Sequence, residues 1–214
     1  MIDPGLGVFL AVAIAGGLEA AVGEPPAAYH PVALLGGVID RLRTRRLGAP
    51  RLSGALYAVS VPLASASAVY GSTWLAGSIH PVVAVALSGV VLWLSSSLRM
   101  LLESARRVID ASESAPDDAR ALLPALVGRD PDDLRPELVR SAAIESLGEN
   151  LSDGLVAPLS AFLVFSLVSL PAAAAGAAFI KAVNTMDSML GYPGAFGWGS
   201  ARLDDLLMFL PARI

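Results

Sequence analysis

Charge-poor apolar stretches alternate with two strongly charged ones along this chain. Gly5–Val22, Ser53–Ser78, Ile79–Leu98 and Leu155–Ile180 are dominated by apolar side chains. As helices rising 1.5 Å per residue, each is long enough to cross a hydrocarbon layer of about 30 Å. The second and third are separated by little more than AGSIHP, a turn suited to a hairpin of helices. Gly, Ala and Ser crowd all four, which favours close helix packing in lipid. The fourth is ambiguous. Residues 154–180 make about 40 Å as one helix, and Pro171 divides them. Either one tilted, kinked span or a re-entrant hairpin fits, and a site shared by the flanking polar motifs favours the hairpin or deep burial.

Between the apolar runs the pattern changes. Residues 99–153 hold twelve acidic and seven basic side chains, so this insert faces water. It reads as a helix, a Pro/Asp-rich turn over APDDARALLPALVGRDPDDL, and a second helix. DRLRTRRLGAPR carries five Arg between the first two apolar segments. An even number of crossings separates the two charged stretches, and the positive-inside rule puts both in the cytoplasm. The expected architecture is all-α, a multi-pass integral protein of the cell membrane. Its parts are membrane helices in 1–98, a cytoplasmic helical insert in 99–153, and a broken hydrophobic segment with polar motifs in 154–214.

Composition sharpens the class. Of 214 residues, 55% are hydrophobic and 16% charged, with a mean hydropathy of +0.64, a balance shifted towards membrane proteins. The net charge of −4 gives no reason to expect a nucleic-acid partner. With no cysteine there is no thiolate nucleophile and no zinc–thiolate site. The N-terminus lacks a basic n-region and carries Glu19 within its apolar run, so it reads as a structural segment.

The candidate chemistry lies at the edges of the apolar segments. In ESLGENLSDG, the side chains of Glu145, Glu149 and Asp153 recur every four residues on one helix face, beside Ser146 and Asn150. Like charges at this spacing repel. A divalent cation relieves that repulsion, and oxygen ligands suit Mg²⁺; a solvated helix end is the other reading. In KAVNTMDSMLGY, Lys181, Asn184 and Ser188 share a face and Asn184, Asp187 and Gly191 a neighbouring one. Lys181, the only lysine, is a candidate phosphate ligand or an interfacial lysine reaching the headgroups. In FGWGSARLDDLLMFLPARI, adjacent Asp204 and Asp205 point about 100° apart on a helix. One of them is then free for a metal while the other pairs with Arg202 or Arg213; the plainer reading is a helix start with acidic residues favoured by the dipole. GEPPAAYHPVALLGGVID places Glu24, His30 and Asp40 around a Pro-rich turn. His30 and His80 each precede a proline and are expected to be extended.

Together GEPPAAYHPVALLG, VGRDPDDL, RSAAIESLGENLSDGLVAPL, KAVNTMDSMLGY and FGWGSARLDDLLMFLPAR resemble the adenosylcobinamide-phosphate synthase family of cobalamin biosynthesis. The blocks follow the family's order over essentially the whole chain. ENLSDG departs from the family's usual Thr and Val, and MFLPAR from its usual Asn; the charged residues stay in place. The family generally continues beyond PARI with another hydrophobic stretch. The resemblance implies an integral membrane enzyme that joins adenosylcobyric acid to aminopropanol phosphate through an amide, with ATP and Mg²⁺ as the means of activating the carboxylate. Mapped on this chain, it implies Glu145, Glu149, Asp153 and Asp187 as metal ligands or bases, Glu149 first among the bases, with Asp204 and Asp205 as a second acidic pair. Lys181, Arg202 and Arg213 are then phosphate clamps. Asn150, Asn184 and His30 contact substrate, and Arg129 with Asp130 the corrin rim. The implied partners are the bilayer, the two substrates, and further copies of the chain or other cobalamin-assembly membrane enzymes. A non-enzymatic relative associated with β-lactamase regulation and a transporter are the rival readings. The transporter lacks a second, symmetry-related broken segment.

Overall fold

The computed structural model describes residues 2–44, 49–125 and 136–213, and among these all regular structure is helical. The helices are α1 (Pro4–Ala21), α2 (Pro31–Thr44), α3 (Pro50–Ile79), α4 (Pro81–Ser95), α5 (Leu98–Ser114), α6 (Pro116–Leu122), α7 (Pro136–Leu151), α8 (Ala157–Ser166), α9 (Leu170–Leu190) and α10 (Trp198–Met208). Many begin on a proline, whose fixed φ and missing N–H suit the first helical position. Two are also capped by the preceding histidine. The Nδ1 atoms of His30 and His80 accept the Val32 and Val82 N–H groups at 3.2 Å. His80 is extended, with φ −162°, as the His-Pro pairing predicts.

Among the described residues, three stretches are long and apolar enough to cross a membrane: Pro4–Ala21, Pro50–Ile79 and Pro81–Ser112. The last comprises α4 and most of α5, which meet at Ser96 and Ser97. Phe9, Leu56, Leu63, Trp74, Val164 and Val168 stay exposed, an apolar surface of the kind lipid covers. Inside, small residues bring the helices together. Ala173, Ala174 and Ala177 of α9 are fully buried. A Cβ on Gly89 of α4 would lie 2.8 Å from the Ala11 carbonyl of α1, so only glycine allows that crossing.

The broken segment is a hairpin. α8 ends at Ser166, Ser169 caps α9 by accepting the Ala172 N–H at 3.2 Å, and Pro171 sits in the first turn. The tip, Ser166–Pro171, lines one cavity with Ile2, Ser78 and Pro81. It therefore lies at the same end of the bundle as the start of α1 and the α3–α4 turn. The opposite end gathers the end of α1, α2, the start of α3, the α4–α5 junction, the α7–α8 junction, the last half of α9, and α10.

The insert differs from its predicted turn. Pro116–Leu122 is helical: Pro116 opens it, and Asp117 and Asp118 occupy the first turn where the helix dipole favours them. Arg120 pairs with Asp117 at 2.7 Å. The decisive contribution is burial, because Ala119 and Leu123 fill a small core with Val108 of α5 and Val139 of α7.

Candidate functional site

A proline fixes the geometry at the α7–α8 junction. Pro158 has no N–H for the Gly154 carbonyl and its ring crowds that oxygen. The helix responds by widening into a π turn over Ser152–Val156, in which the Ala157 N–H reaches Ser152 O. The freed Gly154 carbonyl accepts the Ser97 N–H at 3.0 Å. A side chain at 154 would collide with Ser97, its Cβ 2.5 Å from Oγ. Asp153 is thus pinned in a local distortion of a kind that recurs at functional sites.

From there Asp153 Oδ2 accepts the Asn184 Nδ2–H at 3.2 Å, joining segments 31 residues apart across the hairpin. Asp187 lies one turn beyond Asn184. A Cβ at Gly191 would stand 2.0 Å from Asp187 Oδ1, so the glycine keeps room for that carboxylate. Asp204 enters from α10, which docks on α3 through Gly199 and Gly54. Side chains there would strike the Ala55 and Phe196 backbones, at 2.6 and 1.9 Å. Asp204 Oδ1 is buried with no hydrogen-bond partner among the described residues. The neighbouring Asp205 turns outward and pairs with Arg202 at 3.3 Å.

The three inward carboxylates hold protons more tightly than usual. Burial pushes Asp153 up to about 6, with the Glu149 charge next in effect. Burial pushes Asp204 up to about 7, reinforced by Asp187, then Asp153 and Asp205. Asp187 rises for the same reason, with Asp205 contributing. A divalent cation reverses this preference by favouring the ionised forms. Among the described residues no group of three or more His, Asp or Glu side chains is drawn together closely enough to hold a metal ion. The donors are nonetheless oxygen-rich and one is orphaned. That fits Mg²⁺, which uses one or two carboxylates and completes its shell with water and substrate phosphate.

Other sequence candidates fall at varying distances from this cluster. Glu149 is exposed and acts on Asp153 through its charge. Glu145, a turn earlier, is exposed and enters no contact with the cluster. The face predicted to carry three converging carboxylates therefore contributes one inward group, because α7 buries Val139, Ala143 and Ser146 and leaves Glu145 and Glu149 on its exposed side. Asn150 donates to the Ser146 carbonyl at 2.8 Å. Arg213 is exposed, donates to the Phe209 carbonyl and lies 3.8 Å over the Phe209 ring. Asp40 is on α2, paired with Arg43 at 3.6 Å. Arg129 and Asp130 lie outside the described residues.

On the other side of Lys181 is a cavity of about 420 Å³ that Lys181 lines with Glu24, His30, Ser96, Ser97 and Thr185. The Lys181 charge acts on both Glu24 and Asp153, so the lysine bridges cavity and cluster. Burial raises Glu24 and lowers His30. Two residues that the sequence singled out without a chemical role shape this end. Glu24 faces the cavity, and buried Glu19 accepts the Arg99 N–H at 2.7 Å, capping α5 from within α1. The signal for Glu19 was present, since a carboxylate in an apolar helix needs a partner.

The CobD/Cbib protein family model matches residues 12–214. A probable cobalamin biosynthesis protein CobD from Methanothrix thermoacetophila is 39% identical over 210 residues, 92% of this chain and 66% of the relative. CobD of Geobacter metallireducens is 36% identical over 205 residues, covering 92% and 62%. A probable CobD of Pyrococcus furiosus is 37% identical over 199 residues, covering 90% and 65%. The chain thus spans a little under two-thirds of the length of these relatives, and no solved structure matches it. With the family model matching nearly the whole of an all-α chain that has membrane-length helices, the chain belongs to the CobD/Cbib family, whose matched relatives are named for cobalamin biosynthesis.

Proposed function

We propose that this chain carries the site of an amide-forming ligase that joins the carboxylate of adenosylcobyric acid to the amine of aminopropanol phosphate. The supporting observation is the Asp153–Asn184 hydrogen bond of 3.2 Å, with Asp187 and Asp204 beside it. It unites carboxylates from three separate motifs at one end of the bundle, which we take to be the cytoplasmic end.

A carboxylate does not form an amide unaided, because its oxygen is too basic to leave. Transfer of the γ-phosphoryl of ATP to that oxygen, releasing ADP, makes an acyl phosphate; attack by the amine then releases phosphate. Mg²⁺ would be held by one or two carboxylates of the set Asp153, Asp187 and Asp204, with water and substrate phosphate completing its shell, and would neutralise phosphate charge. Asn184 orients Asp153. Lys181, half-buried beside Asp153, supplies fixed positive charge towards phosphoryl oxygens. Arg202 and Arg213 stand at the exposed rim. Glu149, one turn before Asp153 and open to water, is our first candidate to accept the proton that the attacking ammonium gives up.

The test is reconstitution of the purified protein in detergent or nanodiscs with adenosylcobyric acid, aminopropanol phosphate, ATP and Mg²⁺, with mass spectrometry of the product. Adenosylcobinamide phosphate should form, and should fall at least 100-fold in Asp153→Asn and Asp204→Asn proteins that keep their helical circular dichroism. Undiminished product in both variants would remove the acidic cluster from the reaction.

A further inference from the structure

The cavity lined by Glu24, His30 and Lys181 lies beside the acidic cluster and holds the opposite mixture of charge. We infer that it is a subsite for a small aminoalkyl phosphate, with Lys181 and His30 receiving the phosphate and Glu24 the ammonium. Its assignment to one of two co-substrates rests on the ligase reading above, but the binding chemistry does not.

Lys181 is half-buried, and no salt-bridge partner accompanies it among the described residues. A half-desolvated ammonium that forms no ion pair leaves its hydrogen bonds for a ligand to complete. His30 is 8% exposed, and its Nδ1 is committed as acceptor of the Val32 N–H. Kept neutral by burial and the Lys181 charge, the ring carries its proton on Nε2, a donor for a phosphate oxygen. Ser97 adds a hydroxyl whose side chain does not cap α5. Glu24, the cavity's one carboxylate, likewise has no ion-pair partner among the described residues. An inorganic anion alone would occupy Lys181 and leave half-buried Glu24 with no cation to itself; an aminoalkyl phosphate supplies both signs. A cavity of about 420 Å³ suits such a molecule and excludes a macrocycle, which must approach from outside.

Binding is measured by titration calorimetry on the detergent-solubilised protein, with aminopropanol phosphate, n-propyl phosphate and inorganic phosphate as probes. The amine should improve binding over n-propyl phosphate at least 10-fold. Glu24→Gln should abolish that difference and leave inorganic phosphate unchanged, which also shows that the variant is folded. Lys181→Met should weaken all three probes. Equal affinity of wild type for the amine and its deaminated analogue, or an unaltered preference in Glu24→Gln, overturns the inference. Its fate separates from that of the ligase reading. Glu24-dependent binding without amide formation sinks only the ligase, whereas amide formation with an unchanged KM in Glu24→Gln sinks only the subsite.

Discussion

Removing the charge of Asp204 tests whether the cluster is held together against its own repulsion. In the folded protein its carboxyl titrates at about 7, against an ordinary value of 3.8. At about 1.4 kcal/mol per unit the difference approaches ~4 kcal/mol. The group is only half-buried, so solvent screening reduces this to about 1–2 kcal/mol. Because the folded value lies above the unfolded one, the native state binds more protons across that window. Stability therefore falls as pH rises from about 4 through about 7. Asp204→Asn keeps the side chain's shape without the charge. At pH 8 and without divalent cations, the variant should melt about 2–8 °C above wild type, and the two should converge below pH 4. Added Mg²⁺ should raise the wild-type melting temperature and close the gap, while moving the variant much less. The assay is thermal unfolding of detergent-solubilised protein, followed by circular dichroism from pH 4 to 8. A variant that melts at or below wild type at pH 8 without Mg²⁺ would refute the reasoning, since burial would then impose no charge penalty at this position.

Gly191→Ala should displace the Asp187 carboxylate that its Cβ would meet at 2.0 Å; we expect product formation to drop at least 10-fold with helicity retained, and wild-type turnover would show that Asp187 is not needed where it stands. Pro158→Ala restores an N–H to compete with Ser97 for the Gly154 carbonyl, which should straighten the π turn and carry Asp153 away from Asn184. The readout is a loss of Mg²⁺-dependent thermal stabilisation, and full retention of it would count against the proline as the cause of the distortion. Glu19→Ala removes a charge-assisted hydrogen bond to the Arg99 N–H and should cost about 1.5–3 kcal/mol. Glu19→Gln keeps an acceptor and should lose distinctly less in the same melting assay.

The apolar helices were legible because hydropathy over 18 or more residues is a strong signal, and α1, α3 and α4 lie where that signal places them. The fate of Leu155–Ile180 was not, because an apolar run looks the same whether it crosses once or doubles back. The deciding residues were Ser169 and Pro171, a cap and a first-turn proline. The outward turn of Asp205 towards Arg202 follows from the 100° step between adjacent helical residues. The spacing of Glu145, Glu149 and Asp153 placed them along one continuous helical run, α7 and the π turn after it, but spacing alone does not say which face is buried, and on α7 that face is Val139, Ala143 and Ser146. Glu24 received no role for a related reason, since Lys181, whose charge acts on it across the cavity, is brought there only by tertiary structure.

The doubling back of α8 and α9 explains how such a site stays assembled. Asp153 and Asn184 belong to polar motifs separated by an apolar stretch; a single crossing would leave those motifs at opposite ends of the bundle. Two antiparallel helices return Asn184, Asp187 and Lys181 to the end that Asp153 never left. The hairpin can pack this closely because α9 presents Ala173, Ala174 and Ala177, and Gly176 admits the Phe165 ring of α8 where a Cβ would lie 2.6 Å from it. The packing of these small residues offsets the repulsion among the carboxylates they bring together. That balance makes the acidic cluster the part of the molecule with most to gain from a cation, and the rigid hairpin the reason its carboxylates cannot relax apart before one arrives.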